Sequence, residues 1–311
     1  MDFKQENQQT RIFVWSWPRS LSTVFAKFLS CIDDVQLWHE PYIQSFYSNA
    51  MPKVDEADNQ PVTKFYLKTH HAMENLHNQP HEFSDSSLLP ISLFTYPFIK
   101  SKLEEEEPGK KYIFIKDIAP AIMDHYEFLP NQVPTRHTFL IRHPYRFLTS
   151  RKRLYMKNTN YQGRPEDFDM HEMSSNIQRR QYERDSMYTL WKYVQESGRD
   201  PNPIIIDAED VSNHPEKVLP QYFAQLGIPF HVKYLTWDSS LDPIKKWKGS
   251  KEQVAINYKN GYFGRALDSC CFEGSPQPTP TREDVTPDII KMAEFILPGY
   301  DEMYEKRVKP E

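Results

Sequence analysis

Arg11-Ile-Phe-Val-Trp-Ser-Trp-Pro-Arg-Ser-Leu-Ser-Thr23 begins as an apolar run, crosses a polar turn and continues into a helical pattern. Ile12–Trp15 reads as a buried strand and Leu21–Ser30 as the helix that follows it. The first turn of a helix leaves backbone N–H groups unpaired at the positive end of the dipole, so residues 20–24 are placed to cradle a cluster of anionic oxygens. Ser20, Ser22 and Thr23 add hydroxyl donors, and Arg19 adds a planar, permanently charged fork that matches phosphate or sulfate oxygens. Pro18 presets the turn and gives up no needed donor. Read without a ligand, the same stretch is a strand, a turn and a helix capped by Ser20.

A second stretch, Phe139-Leu-Ile-Arg-His-Pro-Tyr-Arg-Phe-Leu-Thr-Ser150, is another apolar strand ending in arginine. Arg142 stands at the C-terminal end of that strand, where open α/β sheets place their ligands. Ser150 follows two helical turns later, near the same side of the next helix. The plain alternative is an exposed basic helix, since Arg146, Arg151, Lys152 and Arg153 crowd the segment. In this order the two stretches resemble the 5′-phosphosulfate loop and the 3′-phosphate motif of sulfotransferases that use 3′-phosphoadenosine 5′-phosphosulfate (PAPS). The resemblance implies that Arg19, Ser20, Leu21, Ser22 and Thr23 bind the phosphosulfate and that Arg142 and Ser150 bind the 3′-phosphate. Ile204-Ile-Ile-Asp-Ala-Glu-Asp-Val211, with Leu226-Gly-Ile-Pro-Phe230 after it, is similar to a late segment of the same family. The Pro18-Arg-Ser-Leu-Ser-Thr23 loop is closer to the divergent small members than to the cytosolic phenol and steroid enzymes, which carry Lys-Ser-Gly-Thr-Thr there. Lys246-Trp-Lys-Gly249 is a faint echo of the family's adenine-side motif.

The kinase-type Gly-Lys-Ser/Thr loop is missing, along with its magnesium-binding hydroxyl. The expectation is a metal-free transfer in which Arg19 neutralises charge. Net charge is −5 and the pI about 6.1, which argues against a general nucleic-acid binder. Cys31, Cys270 and Cys271 form no metal or disulfide pattern. The N-terminal Met-Asp-Phe-Lys-Gln-Glu has no apolar secretion core, and no run approaches eighteen apolar residues, so a cytoplasmic protein that does not contact membrane is expected.

Further strands are expected at Val35–Trp38, Tyr112–Ile115, Thr138–Ile141 and Ile204–Ile206, with helices at Tyr145–Met156 and Pro215–Leu226. This alternation predicts a three-layer α/β fold of the P-loop type, a central parallel sheet flanked by helices. Met170–Gly198 reads as one long amphipathic helix, and a last helix runs from Pro287 to Phe295, with a continuation beyond Pro298 left open. The whole chain, 1–311, is expected to be one domain, with 42–111 as an irregular cap or lid.

Sulfuryl transfer depends on positioning and electrostatics around an in-line, charge-rich transition state, and the acceptor group needs a proton acceptor nearby. Glu40, in Leu37-Trp-His-Glu-Pro-Tyr42, ends the strand after the phosphate-loop helix and ranks first as base. Its alternative role is to hold Arg19. His70, in Leu67-Lys-Thr-His-His71, resembles the family's Lys-Thr-His segment but lies far upstream of Arg142, and it ranks second. His39 ranks third, because neighbours on a strand face opposite ways. Lys116, in Phe114-Ile-Lys-Asp117, either binds the leaving phosphate or is a strand-end lysine paired with Asp117. His39 and Tyr42 are candidate acceptor-binding residues. The resulting expectation is a PAPS-dependent sulfotransferase acting on a small-molecule hydroxyl or amine. A P-loop kinase and a non-catalytic nucleotide-binding scaffold are the rivals.

Overall fold

Five short runs in which alternate residues are apolar on opposite sides can bury both faces only if helices cover each. The computed structural model describes residues 9–50, 61–76, 79–80, 83–84, 88–274 and 276–311, and within them these runs form a single sheet. The strands are β1 (Arg11–Ser16), β2 (Val35–His39), β3 (Tyr112–Ile118), β4 (Thr135–Ile141) and β5 (Ile204–Asp207). Their order is β2-β3-β1-β4-β5 and every pairing is parallel. All five expected strands are present, and the three-layer α/β reading holds.

Between β1 and β2 lies α1 (Ser22–Ser30). Between β2 and β3 lie α2 (Pro41–Ala50), α3 (Pro61–Leu76) and α4 (Tyr96–Glu104). After β4 come α5 (Pro144–Asn158), α6 (Asn176–Glu183) and α7 (Ser186–Glu196). Beyond β5 follow α8 (Ala208–Asn213), α9 (Pro215–Leu226), the short α10 (Asp242–Lys245), α11 (Lys251–Lys259), the short α12 (Gly264–Asp268) and α13 (Pro287–Glu305). On one face, Phe13, Trp15, Ile113, Ile115, Phe139 and Ile141 pack with α7 and α13; on the other, Ile12, Val14, Phe114, Leu140, Ile204 and Ile206 pack with α1 and α9.

One local expectation is corrected, and two others gain detail. The single helix at Met170–Gly198 is two, because the chain turns at Asp185, whose φ is 38° and whose carboxylate accepts the Tyr188 N–H. Helix α13 crosses tightly there: a Cβ added to Gly299 would lie 2.4 Å from Asp185 Oδ2. The last helix is continuous through Pro298, since its buried stripe of Ile289, Met292, Ala293, Ile296, Tyr300 and Met303 outweighs one missing N–H. Where sequence suggests irregular chain between 42 and 111, the described parts form α2, α3 and α4.

Connections from β1 lead to β2 and β3 on one side, and those from β4 lead to β5 on the other. The crevice above β1 and β4 is therefore a topological switch point, where such sheets take ligands. Both outer strands carry a backbone hook from the C-terminal half. Lys248 bridges Trp38 on β2, with its N–H donating to the Leu37 carbonyl at 2.8 Å, and the Val308 N–H donates to Ile205 on β5 at 2.8 Å.

Helix α5, which borders the switch point, is pinned to α13 by a buried ion pair. Lys152 Nζ lies 2.7 Å from Asp288 Oδ1, and Asp288 also accepts the Met170 N–H at 2.8 Å. Removing one partner strands the other charge in the core. Asp288→Ala should therefore lower unfolding free energy by about 3–5 kcal/mol, measured by urea denaturation. A loss below about 1 kcal/mol would show that α5 is held by other interactions.

Candidate active site

The turn after β1 adopts a conformation that most side chains avoid. Arg19 has φ 72° and Leu21 φ 64°, left-handed values that cost a non-glycine residue roughly 1–2 kcal/mol each. Phosphate loops commonly place glycine in such turns, whereas here larger residues hold them, and strain of this kind concentrates at ligand sites. Ser20 is not the helix cap that sequence allows. Leu21 takes the N-cap position with no side-chain hydrogen bond, and the buried Ser20 Oγ has no partner among the described residues. Helix α1 thus presents its first N–H groups to the crevice uncapped, flanked by Ser22 and Thr23.

Arg19 joins this loop to the second motif. Its Nε donates to Ser150 Oγ at 3.2 Å, and Arg142 Nη1 donates to the Arg19 carbonyl at 2.8 Å. Arg142 Nε also donates to Glu209 at 2.8 Å, at the start of α8. Partial desolvation, then the neighbouring charges of Arg142 and Arg151, lower the Arg19 guanidinium's hold on its proton. An anion bound here would relieve that repulsion. The residues of the two motifs, far apart in sequence, are in one cluster.

Glu40 follows β2 with φ 52°, its N–H donating to the Lys116 carbonyl at 2.7 Å. Lys116, on β3, lies beside His39 in register and is 1% exposed; its Nζ donates to Glu40 Oε1. Gln253 Nε2 donates to Glu40 Oε2 at 3.1 Å. Burial opposes the charge on Glu40, but Lys116 outweighs it and holds the carboxyl below its ordinary value. Among the described residues Glu40 makes no ion pair with Arg19. Lys116 is paired with Glu40, while Asp117 accepts the N–H groups of Tyr42 and Ile118 at 2.6 and 2.8 Å.

One cleft contains Arg19, Ser22, Thr23, Glu40 and Lys116, enclosing about 160 Å³. Its remaining wall includes Phe65, Thr69 and Met73 from α3, Arg151 and Tyr155 from α5, and Gln253 and Ile256 from α11. Arg142 and Ser150 do not line this cleft and are joined to it only through their hydrogen bonds to Arg19. Two expected residues lie elsewhere. His39, 2% exposed, stacks on Trp247 at 4.3 Å and is kept neutral by burial, which pushes its imidazole down to about 3. Tyr42 is in the core and donates to the Phe128 carbonyl at 3.0 Å. The side chain of His70, on α3, lies outside the described residues. Of the aromatics near the motifs, Phe46 lines the cleft, whereas Trp15 and Trp17 are in the core and the Tyr47 side chain is outside the described residues.

Sequence alone does not single out Arg151 or Gln253. Arg151 is one member of a basic run, although its place directly after Ser150 is a signal. It is buried, and its Nε donates to Tyr155 Oη at 2.7 Å. Nothing local marks Gln253, which reaches Glu40 through the fold alone. Lys248, the lysine of the faint adenine-side echo, is engaged by Glu107 at 2.6 Å.

No protein-family model matches the chain, and no curated protein does. Among solved structures it is similar to a sulfotransferase domain from the curacin biosynthetic pathway, at 16% identity and TM-score 0.45, covering 93% of this chain and 98% of that one. The sulfotransferase domain of the Synechococcus PCC 7002 olefin synthase matches at 18% identity and TM-score 0.45, covering 94% and 96%. Mouse sulfotransferase SULT7A1, complexed with PAP, matches at 15% identity and TM-score 0.38, covering 97% and 86%. At such identities and scores, the weight of a functional reading falls on the cleft's own chemistry. Among the described residues no group of three or more His, Cys, Asp or Glu is placed to hold a metal, and no helix is long and apolar enough to cross a membrane.

The Lys116–Glu40 pair gives a pH test. The folded protein holds the Glu40 proton less tightly than the unfolded chain, so this group stabilises the fold above the ordinary carboxylate range. That contribution fades as pH falls through Glu40's depressed value. In Lys116→Met burial loses its largest opponent, and the Glu40 carboxyl should rise above its ordinary value. Carbon-13 NMR titration of labelled glutamate would show the reversal; an unchanged Glu40 midpoint would mean that the lysine does not set its charge.

Proposed function

We propose that the protein transfers a sulfuryl group from PAPS to a small-molecule acceptor. The observation that carries the reading is that an uncapped helix N-terminus and Arg19 share a cleft with a carboxylate–lysine pair, while Arg142 and Ser150 are hydrogen-bonded to that same Arg19. The orphaned Ser20 Oγ and the crowded arginines fit a doubly anionic nucleotide. In this reading the α1 N-terminus, Arg19, Ser22 and Thr23 hold the phosphosulfate end, and Arg142 with Ser150 holds the 3′-phosphate. PAPS, when bound, supplies the activated sulfuryl group and a phosphate leaving group. Arg19 and Lys116 neutralise charge that grows on the leaving side. Glu40, ionised at neutral pH, takes the acceptor's proton. The segment 42–111 supplies cleft wall through Ile43, Phe46 and α3, in keeping with a lid that selects the acceptor.

Thermal shift with adenosine 3′,5′-bisphosphate against ATP plus magnesium separates this reading from a kinase, and a screen of acceptors with ³⁵S-labelled PAPS separates it from a non-catalytic scaffold. Stabilisation by ATP but not by the bisphosphate would overturn it.

Arg142→Ala should weaken bisphosphate binding by roughly 2–4 kcal/mol in calorimetry, the scale of a charge-assisted hydrogen bond whose removal leaves a phosphate oxygen unpaired. Binding of an analogue without the 3′-phosphate should barely change. Equal losses for both ligands would make the arginine a structural tie to Glu209 and the Arg19 carbonyl.

Glu40→Gln keeps the shape and removes the proton acceptor. Turnover should fall by about 10²–10⁴-fold at saturating PAPS, with bisphosphate affinity little changed. Near-normal turnover in this variant beside an inactive His70→Ala would transfer the role of base to His70.

A further inference from the structure

Gln253 reaches the cleft because the start of α11 is fixed from several sides. Ser250 accepts the Gln253 N–H at 3.2 Å, the Lys251 N–H donates to the Leu89 carbonyl at 3.0 Å, and Glu252 accepts the Ile91 N–H at 2.8 Å. At Gly249, with φ 156°, an added Cβ would meet the His39 carbonyl oxygen at 2.8 Å, so the two backbones touch where only glycine fits. That approach brings Gln253 Nε2 to Glu40 Oε2. The amide has one sensible orientation, since reversing it would set a carbonyl oxygen against a carboxylate.

Its Oε1 is therefore committed to the other limb. Gln253 is 5% exposed and lines the cleft, and this oxygen has no hydrogen-bond partner among the described residues. A buried amide oxygen without a donor is a standing cost that a bound N–H or O–H removes. It belongs to the same amide that touches Glu40 and is closed to solvent, so a molecule directing a hydroxyl at Glu40 brings its adjacent atoms alongside it once a small turn of that amide opens the oxygen to the cleft. The rest of the wall narrows the choice. Ile43, Phe46, Met73 and Phe263 give it apolar surface beside the amides of Asn158 and Gln178, and Arg19, Lys116 and Arg151 face a single carboxylate, which disfavours a cationic acceptor.

We propose that the acceptor is an uncharged, partly apolar alcohol with a second N–H or O–H donor on the neighbouring atom, and that Gln253 Oε1 reads this second donor. The proposal rests on the sulfuryl-transfer reading and gives its acceptor a chemical class. Gln253 acts as a positioning residue through Nε2 and as a specificity-determining residue through Oε1.

Octane-1,2-diol and octan-1-ol differ only in the second donor and serve as probes of the full-length protein. Binding is read by calorimetry with adenosine 3′,5′-bisphosphate present, and turnover with PAPS. The wild type should favour the diol about 10–100-fold in both Kd and kcat/KM, the scale of one buried polar group left unpaired. In Gln253→Leu, or the more isosteric Gln253→Met where leucine does not fold, the preference should vanish. A variant that lowers both turnovers and leaves the ratio intact has been affected only through Glu40, and this outcome would overturn the specificity role. Equal binding of the two alcohols to the wild type, or binding of neither, also overturns it. Failure of the bisphosphate to bind while the diol preference persists would sink the donor reading and leave this subsite standing.

Discussion

Lys116 and Glu40 are opposite charges set at the C-terminal ends of two adjacent strands, the lysine almost wholly and the glutamate largely shielded from water, and burying either without the other is costly. Much of the cleft follows from that requirement. Glu40 must leave the line of β2 to reach the lysine, so it takes a left-handed backbone, and His39 is turned away into the core against Trp247. The pair also fixes what the cleft can offer a ligand. A lysine held by a carboxylate is a charge at a known place, and a carboxylate held by a lysine and an amide stays ionised and oriented.

The anion-binding half depends on the opposite situation, charges of one sign kept together. Arg19 is held between Ser150 and the Arg142 guanidinium, with Arg151 close enough to depress its proton affinity further. The strained turn at Arg19 and Leu21 leaves the first N–H groups of α1 facing the same space. Such an arrangement is poor for stability and suited to a polyanion, and rigid elements on both sides maintain it: β1 in the middle of the sheet and α5 anchored through Lys152 to Asp288.

What is legible in the sequence follows from which interactions are local. Strands β1 to β5 announce themselves because their apolar runs are short, branched and bounded, and the order of Arg19, Glu40, Lys116 and Arg142 at strand ends follows from the parallel sheet. Alternation along a strand also says that only one of His39 and Glu40 can face the ligand. Chain breaks set by packing are not legible: the turn at Asp185 answers to the close passage of Gly299, and the continuity of α13 through Pro298 answers to a buried stripe that only the folded core reveals. Tyr42 looks available because it lies close to Glu40, yet the first turn of α2 carries it inward. Gln253 is invisible for the most general reason, being more than two hundred residues from Glu40.

The two backbone hooks on the outer strands have a meaning for the life of the molecule in concentrated solution. An open sheet ends in two rows of unsatisfied amide groups, and each is a template for a strand from another copy. Here Lys248 lies along β2 and Val308 closes on β5, so that each border is occupied by the chain's own late segments. Both hooks come from a part made after all five strands. Until that part is made, a nascent chain carries the whole sheet with its borders bare, and the hazard of sticking to a neighbour is greatest just before these segments emerge.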